Sequence, residues 1–153
     1  MNNSAAKTVS TILGLIFIAI GALGFFQPSF MGTHLSITHN MIHLISGALA
    51  LYFGMIGSLS GAKYFCIIFG IVYFLLGVAG FVVGAPGIST VPGMETMGSD
   101  KYLFPILPGS LELGMHDHIL HAGVGLLFFV AGLVTKVGPS QIHTGQLHVT
   151  SSH

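Results

Sequence analysis

Two short polar motifs hold the side chains of this chain that could bind a metal or a cofactor. The first contains His39 and His43, and the second contains Asp117, His118 and His121. If each motif is helical, residues three or four positions apart lie on one face of the helix. Imidazole is a good ligand for zinc, copper and iron, and a nearby carboxylate can add an oxygen ligand. These five positions are therefore the predicted metal ligands.

The two motifs align with each other and place His43 and His121 at equivalent positions. A second alignment begins at Lys7 and Lys63 and pairs the glycines of two apolar segments. The glycines paired by the two alignments are Gly14/Gly70, Gly21/Gly77, Gly24/Gly80, Gly47/Gly125 and Gly54/Gly132. We interpret the pattern as a tandem duplication of a two-helix unit. Repeats of this kind in membrane proteins are related by a pseudo-two-fold axis, which should run along the membrane normal here because both units have the same orientation.

The composition is typical of a membrane protein. Charged residues make up 5% of the chain, against about 25% in ordinary globular proteins. A helix of about 20 apolar residues crosses a bilayer core, and four segments approach that length: 8–26, 40–58, 63–84 and 118–135. The sequence predicts an all-α membrane protein, a four-transmembrane-helix bundle formed by residues 1–136. Residues 85–117 are expected to form an outer loop that covers the histidine motifs, and residues 137–153 a flexible, polar, histidine-containing tail.

Each apolar segment contains two glycines seven residues apart, which lie on one face of a helix. Small residues let helix backbones approach closely in lipid, where the hydrophobic drive for association is weak. We therefore expect Gly47 and Gly125 to lie at helix contacts or to line a cavity, and not to face lipid. Similar glycine faces could also accept a partner membrane protein or a second copy of the chain.

The lysines predict the orientation. Lys7, Lys63 and Lys136 fall at the end of the bundle that also carries both termini, and all four acidic residues fall at the other end. By the positive-inside rule both termini are cytoplasmic. The histidine motifs then face the exterior or the periplasm.

Three sequence patterns resemble those of a bacterial four-helix integral membrane family whose members carry a domain of unknown function. The patterns are Asn40-x-x-His43-Leu44, Ala62-Lys63-Tyr64 and Asp117-x-x-x-His121. The similarity covers roughly residues 8–135. It implies the same four-helix architecture, with the bacterial inner membrane as its place, and no established activity. The chain departs from the family pattern at His118, where Asn is usual, and His39 is additional.

A ligand site built on His43 and His121 is one interpretation of the motifs, and three occupants fit its chemistry. The first is a divalent metal ion, with His39, Asp117 and His118 as further ligands. The second is a haem with two histidine ligands, for which Gly47 and Gly125 would make room. The third is a quinone headgroup, whose carbonyls a histidine and a carboxylate could polarise.

The other interpretation, which the sequence slightly favours, is a non-enzymatic bundle that serves as an accessory or assembly subunit. His43 and His121 would then clamp helices by hydrogen bonds, each contributing about 0.6 kcal/mol. For His39 and His118 we expect solvated imidazoles. Catalysis has the weakest support, because no pattern typical of an enzyme occurs. The absence of arginine argues against phosphorylated substrates and nucleic acid.

Overall fold

The structure, a computed structural model, describes residues 4–138 and is mostly helical. The helices are α1 (Ala5–Gly24), α2 (Ile37–Leu51), α3 (Leu59–Val83) and α4 (Met115–Val134). A π-helical turn, Tyr52–Ile56, extends α2. Within the described part of the chain, four helices are long and apolar enough to cross a membrane, as predicted. The predicted tail lies almost entirely outside the described residues.

Polar residues at the helix starts place the motifs in the first turns. Ser36 precedes α2, and its Oγ accepts a hydrogen bond of 3.1 Å from the backbone N–H of His39. At α4 the carboxylate of Asp117 accepts from the N–H of Gly114 at 2.8 Å. Such caps satisfy N–H groups that have no partner within the helix. The motifs therefore occupy the first turns of α2 and α4, next to the connections 25–36 and 84–114.

Glycines bring the helices of each pair into backbone contact. A Cβ atom added at Gly47 would lie 2.9 Å from the carbonyl oxygen of Gly14, between α1 and α2. One added at Gly125 would lie 2.8 Å from the carbonyl oxygen of Gly70, between α3 and α4. Both distances are too short for a real Cβ contact, so only glycine fits at either position. The prediction that Gly47 and Gly125 lie at helix contacts is confirmed.

Helices α1 and α3 meet through residues that the predicted repeat makes equivalent. The Oγ of Ser10 lies 3.1 Å from the Sγ of Cys66, and both side chains are fully buried. The rings of Phe17 and Tyr73 have centroids 5.3 Å apart. Equivalent residues touch in this way when a pseudo-two-fold axis passes between them. The duplication itself stays a prediction.

The segment predicted as an outer loop instead forms a three-stranded antiparallel sheet, so the all-α prediction was incomplete. The strands are β1 (Ala85–Ile88), β2 (Ser99–Leu107) and β3 (Leu111–Leu113), in the order β1-β2-β3. In the register Ala85 faces Leu103, and Phe104 faces Leu113. The sequence pattern did not predict these strands, because β1 and β2 contain prolines and the strands pair in an irregular register.

A buried carboxylate holds the sheet's connections. Glu112 is 1% exposed, and it accepts hydrogen bonds from Ser89 Oγ (2.9 Å), Thr90 N–H (2.8 Å), Gly109 N–H (2.8 Å) and Thr90 Oγ1. Burial alone would raise the pKa of Glu112, but these hydrogen bonds favour the charged form and hold the pKa below its ordinary value. The carboxylate therefore ties β3 to the segment between β1 and β2.

Candidate metal centre

Three histidines from the two motifs converge inside the bundle. His39 and His43 lie on α2 and His121 lies on α4, and all three are buried. Each offers one ligating nitrogen, and these three atoms lie within 4.8 Å of one another. The ring centroids are 4.3 Å apart for His39 and His43, 5.6 Å for His39 and His121, and 6.3 Å for His43 and His121. We call these residues the histidine triad.

The hydrogen bond made by His39 determines which of its nitrogens is free. Its Nδ1 lies 2.7 Å from the backbone carbonyl oxygen of His34. A carbonyl only accepts, so Nδ1 must carry the proton and the neutral ring presents a lone pair at Nε2. Among the described residues that Nε2 has no hydrogen-bond partner. A histidine that binds a metal through one nitrogen usually donates from the other to a carbonyl or carboxylate, as His39 does here.

His43 and His121 also have a buried nitrogen without a partner. In each ring Nδ1 is buried and accepts or donates no hydrogen bond within residues 4–138. Neither Nδ1 atom therefore takes part in a clamp between helices among the described residues. A buried polar atom without a partner costs about 1–3 kcal/mol, which a bound ligand would relieve.

The other two predicted ligands lie outside the triad. Asp117 accepts from the backbone N–H of His34 at 3.0 Å and lies 3.3 Å from the Nδ1 of that residue. His118 points the opposite way, with its Nε2 2.7 Å from the carbonyl oxygen of Tyr102 in β2. The structure thus unites three of the five predicted positions and uses the other two to hold the connections.

The prediction that His39 and His118 are solvated was wrong. His39 is 2% exposed and His118 is fully buried. The reason is that folded segments cover both rings at this end of the bundle. The sequence did not predict that these segments are folded. The connection 25–36 lies over His39, and β2 together with Phe81 encloses the ring of His118.

Sequence reasoning missed His34, which joins the triad to Asp117. It is 2% exposed and lies in the connection between α1 and α2. Its N–H binds Asp117 of α4, and its carbonyl oxygen binds His39 of α2. The only signal in the sequence was a lone histidine in a short connection, which is too common to single out.

A cavity of about 170 Å³ opens beside the triad, between α1, α4 and the first connection. His43, His121 and Asp117 lie along its wall, and the rest of the lining is almost wholly apolar. Among residues 4–138, this cavity is too small for a haem. Gly47 and Gly125, expected to make room for the macrocycle, are covered by the neighbouring helices.

No protein-family model, curated protein or solved structure matches this chain. The resemblance to a bacterial four-helix family therefore stays a prediction. What the site does has to be inferred from its own geometry: three converging imidazoles, one tautomer fixed by a carbonyl, and an apolar cavity at their side.

Proposed function

We propose that this chain is an integral membrane protein that binds one divalent transition-metal ion through His39, His43 and His121. The observation that carries the proposal is the convergence of three ligating nitrogens within 4.8 Å. Zinc–nitrogen bonds are about 2.0–2.1 Å long, so the nitrogens of a tetrahedral site lie about 3.3 Å apart. Shifts of about 1 Å would close the site from its present spacing.

The ligand set favours zinc, copper or iron over magnesium or calcium. Imidazole nitrogen suits the former metals, whereas the latter prefer oxygen ligands. Three protein ligands leave a fourth position open, the arrangement of zinc sites that bind an exchangeable ligand. Asp117, one helical turn from His121, adds a negative charge near the dication. A haem is less well supported, since the described residues leave no slot for its ring.

The proposed place in the membrane has support from the surface of the bundle. Large apolar side chains point outward along the helices, among them Ile12 (53% exposed), Leu15 (57%) and Ile68 (63%). A water-facing surface would not carry so many in contiguous patches. We propose that the two helix pairs arose by duplication and are related by an axis near the membrane normal. Both termini face the cytoplasm, and the sheet and triad lie toward the exterior.

Metal analysis tests the proposed site directly. The protein is the full chain with the tail residues His143, His148 and His153 replaced by alanine, because the tail could bind metal by itself. Purified from membranes, it should contain about one equivalent of zinc, copper or iron per chain. His39→Ala, His43→Ala and His121→Ala should each lose most of that metal.

The matched control is His116→Ala, which removes an exposed histidine from the same end of α4. It should leave the metal content unchanged. A metal-free parent protein that also fails to bind added Zn²⁺, or an unchanged metal content in all three triad variants, would overturn the proposal.

A second candidate function is the structural one, an accessory or assembly subunit without a cofactor. It is favoured by two side chains at equivalent positions of the predicted repeat. Asn40 Nδ2 donates to the carbonyl oxygen of Leu35 at 3.2 Å, and His118 Nε2 lies 2.7 Å from the carbonyl oxygen of Tyr102. Asn40 thus fixes the connection between α1 and α2, and His118 fixes the connection between α3 and α4.

This candidate predicts that stability depends on the clamps and not on a metal. Asn40→Ala and His118→Ala would lower the melting temperature, and added metal would not change the melting temperature of the parent, of His43→Ala or of His121→Ala. The paired glycines face neighbouring helices of the same chain. A partner helix or a second copy would therefore dock on another face.

A further inference from the structure

The cavity beside the triad lies on one side of the bundle. It is lined by residues of α1 and α4 and by the first connection, including Leu13, Ile16, Ile20, Met31, Leu120 and Val124. The predicted repeat places an equivalent space between α3 and α2. The side chains at the equivalent positions there are different.

Larger or hydrogen-bonded side chains stand at the equivalent positions of α3 and α2. Phe69 stands where the first pair has Leu13, and its ring lies 4.6 Å from that of Tyr73. The hydroxyl of Tyr73 donates to the Oγ of Ser46, the equivalent of Val124, at 3.0 Å. The side of the triad that carries the cavity, between α1 and α4, has the smaller Leu13 where the other side has Phe69. We call it the open side.

The open side faces the surface that the helices would present to lipid. Ile16 is 44% exposed, Leu120 41% and Met31 68%. A molecule dissolved in the bilayer could enter between α1 and α4 without crossing a polar region. The one charged residue in the lining is Asp117, whose carboxylate would repel a water-soluble anion. Such an anion would also lose its hydration along the apolar path.

We propose that the cavity admits a neutral, lipid-soluble molecule with one phenolic ring, of the quinol class, whose oxygen takes the open position of the triad-bound metal. This inference rests on the proposed function, since the metal supplies the polar contact. An apolar protein cavity of about 150 Å³ holds benzene, so 170 Å³ accommodates one ring and leaves the tail in lipid. The molecule enters as the neutral quinol. Three neutral imidazoles leave the charge of a dication uncompensated, so the metal lowers the pKa of the bound hydroxyl and favours the phenolate, whose proton is released to the solvent.

Cobalt substitution tests this inference, because the visible absorption of Co²⁺ changes with its ligands. The full chain with alanines at the three tail histidines is loaded with Co²⁺ and titrated anaerobically with a short-chain benzoquinol in detergent. We expect a saturable change in the Co²⁺ absorption. Leu13→Phe, which copies the residue at the equivalent position of α3, should bind Co²⁺ equally well and raise the dissociation constant of the quinol at least tenfold.

The matched control is Leu15→Phe, which adds the same ring on the exposed face of α1 and should leave the titration unchanged. If Leu13→Phe does not accumulate, Val124→Phe narrows the cavity from α4. A protein that binds Co²⁺ without responding to the quinol would overturn the inference and leave the metal site standing. A response that persists in Leu13→Phe or Val124→Phe would overturn the cavity as the binding place. Failure to bind Co²⁺ at all would overturn the proposed function itself.

Discussion

The Nδ1 atom of His39 lies 2.7 Å from the backbone carbonyl oxygen of His34, whose own N–H donates to the carboxylate of Asp117. These two hydrogen bonds link α2 to α4 through the connection 25–36. They set the tautomer of His39, which leaves a lone pair at Nε2. They also hold the ring, whose centroid lies 4.3 Å from that of His43 and 5.6 Å from that of His121. Asp117 thus positions His39 of the triad indirectly, through its hydrogen bond with the backbone of His34.

Replacing Asp117 should weaken metal binding without removing a ligand. In Asp117→Asn the amide accepts more weakly than the carboxylate, and the connection that positions His39 loosens. Loss of a hydrogen bond that orients a metal ligand typically lowers metal affinity about 10–100-fold. Competition with a chromophoric chelator measures the affinity. Glu95→Gln, at an exposed acid of the same end of the bundle, serves as the control and should keep the parental affinity. An unaltered affinity in Asp117→Asn would rule out the positioning role.

Glu112 should make the stability of the protein depend on pH, because it ties the three-stranded sheet together. Its pKa in the folded protein lies below the ordinary value of 4.5, because its hydrogen bonds outweigh the effect of burial. The contribution of the ionised form is therefore present above about pH 4.5 and is lost as the pH falls through the lowered pKa. Glu112→Gln should destabilise the protein at pH 7 by about 1–3 kcal/mol, since donors lose their charged acceptor.

The measurement is the melting temperature of the parent and of Glu112→Gln between pH 7 and pH 3. The difference between the two should narrow below pH 4.5, as the parent loses its ionised carboxylate. A difference that stays constant down to pH 3 would show that the charge on Glu112 contributes nothing. Glu95→Gln again supplies an exposed control.

Bulky residues at the glycine contacts should disrupt the helix pairs. Gly47→Leu and Gly125→Leu place a side chain where the backbone of the neighbouring helix already lies. Overpacking of this kind costs about 1–3 kcal/mol and often more when backbone must move. Gly123→Leu is the matched control on α4, because nothing lies within 4 Å of a Cβ added there. Thermal unfolding in detergent should show a large loss for the first two variants and little change for the third.

Cysteine labelling should establish the orientation. In a Cys66→Ala background, Ser29→Cys lies on the exposed connection between α1 and α2, and Gly138→Cys lies beyond α4 at the other end. We expect a membrane-impermeant maleimide to label position 29 from outside intact cells and position 138 only after permeabilisation. The reverse pattern would invert the topology.

The helices and their contacts could be predicted from local pattern. Long apolar segments are a strong signal, because every backbone polar group in lipid must be satisfied within a helix. Glycines seven residues apart marked the close contacts at Gly47 and Gly125, since the spacing by itself defines one helix face. The strands β1 and β2 were missed because they contain prolines and pair with an irregular register. Which strands pair with each other is determined by tertiary contacts and not by the composition of each strand.

The amino-acid sequence alone determined the number of helices, the end of the bundle where polar groups collect, and the residue types that could bind a metal. Only the tertiary structure decided which of them meet. His39, His43 and His121 converge because the backbones of α2 and α4 bring their first turns together, whereas His118 is turned toward Tyr102 and Asp117 toward His34. Residues on one helix share a face by local geometry, but a site made from two helices depends on their packing. That packing is set by contacts between residues far apart in the chain.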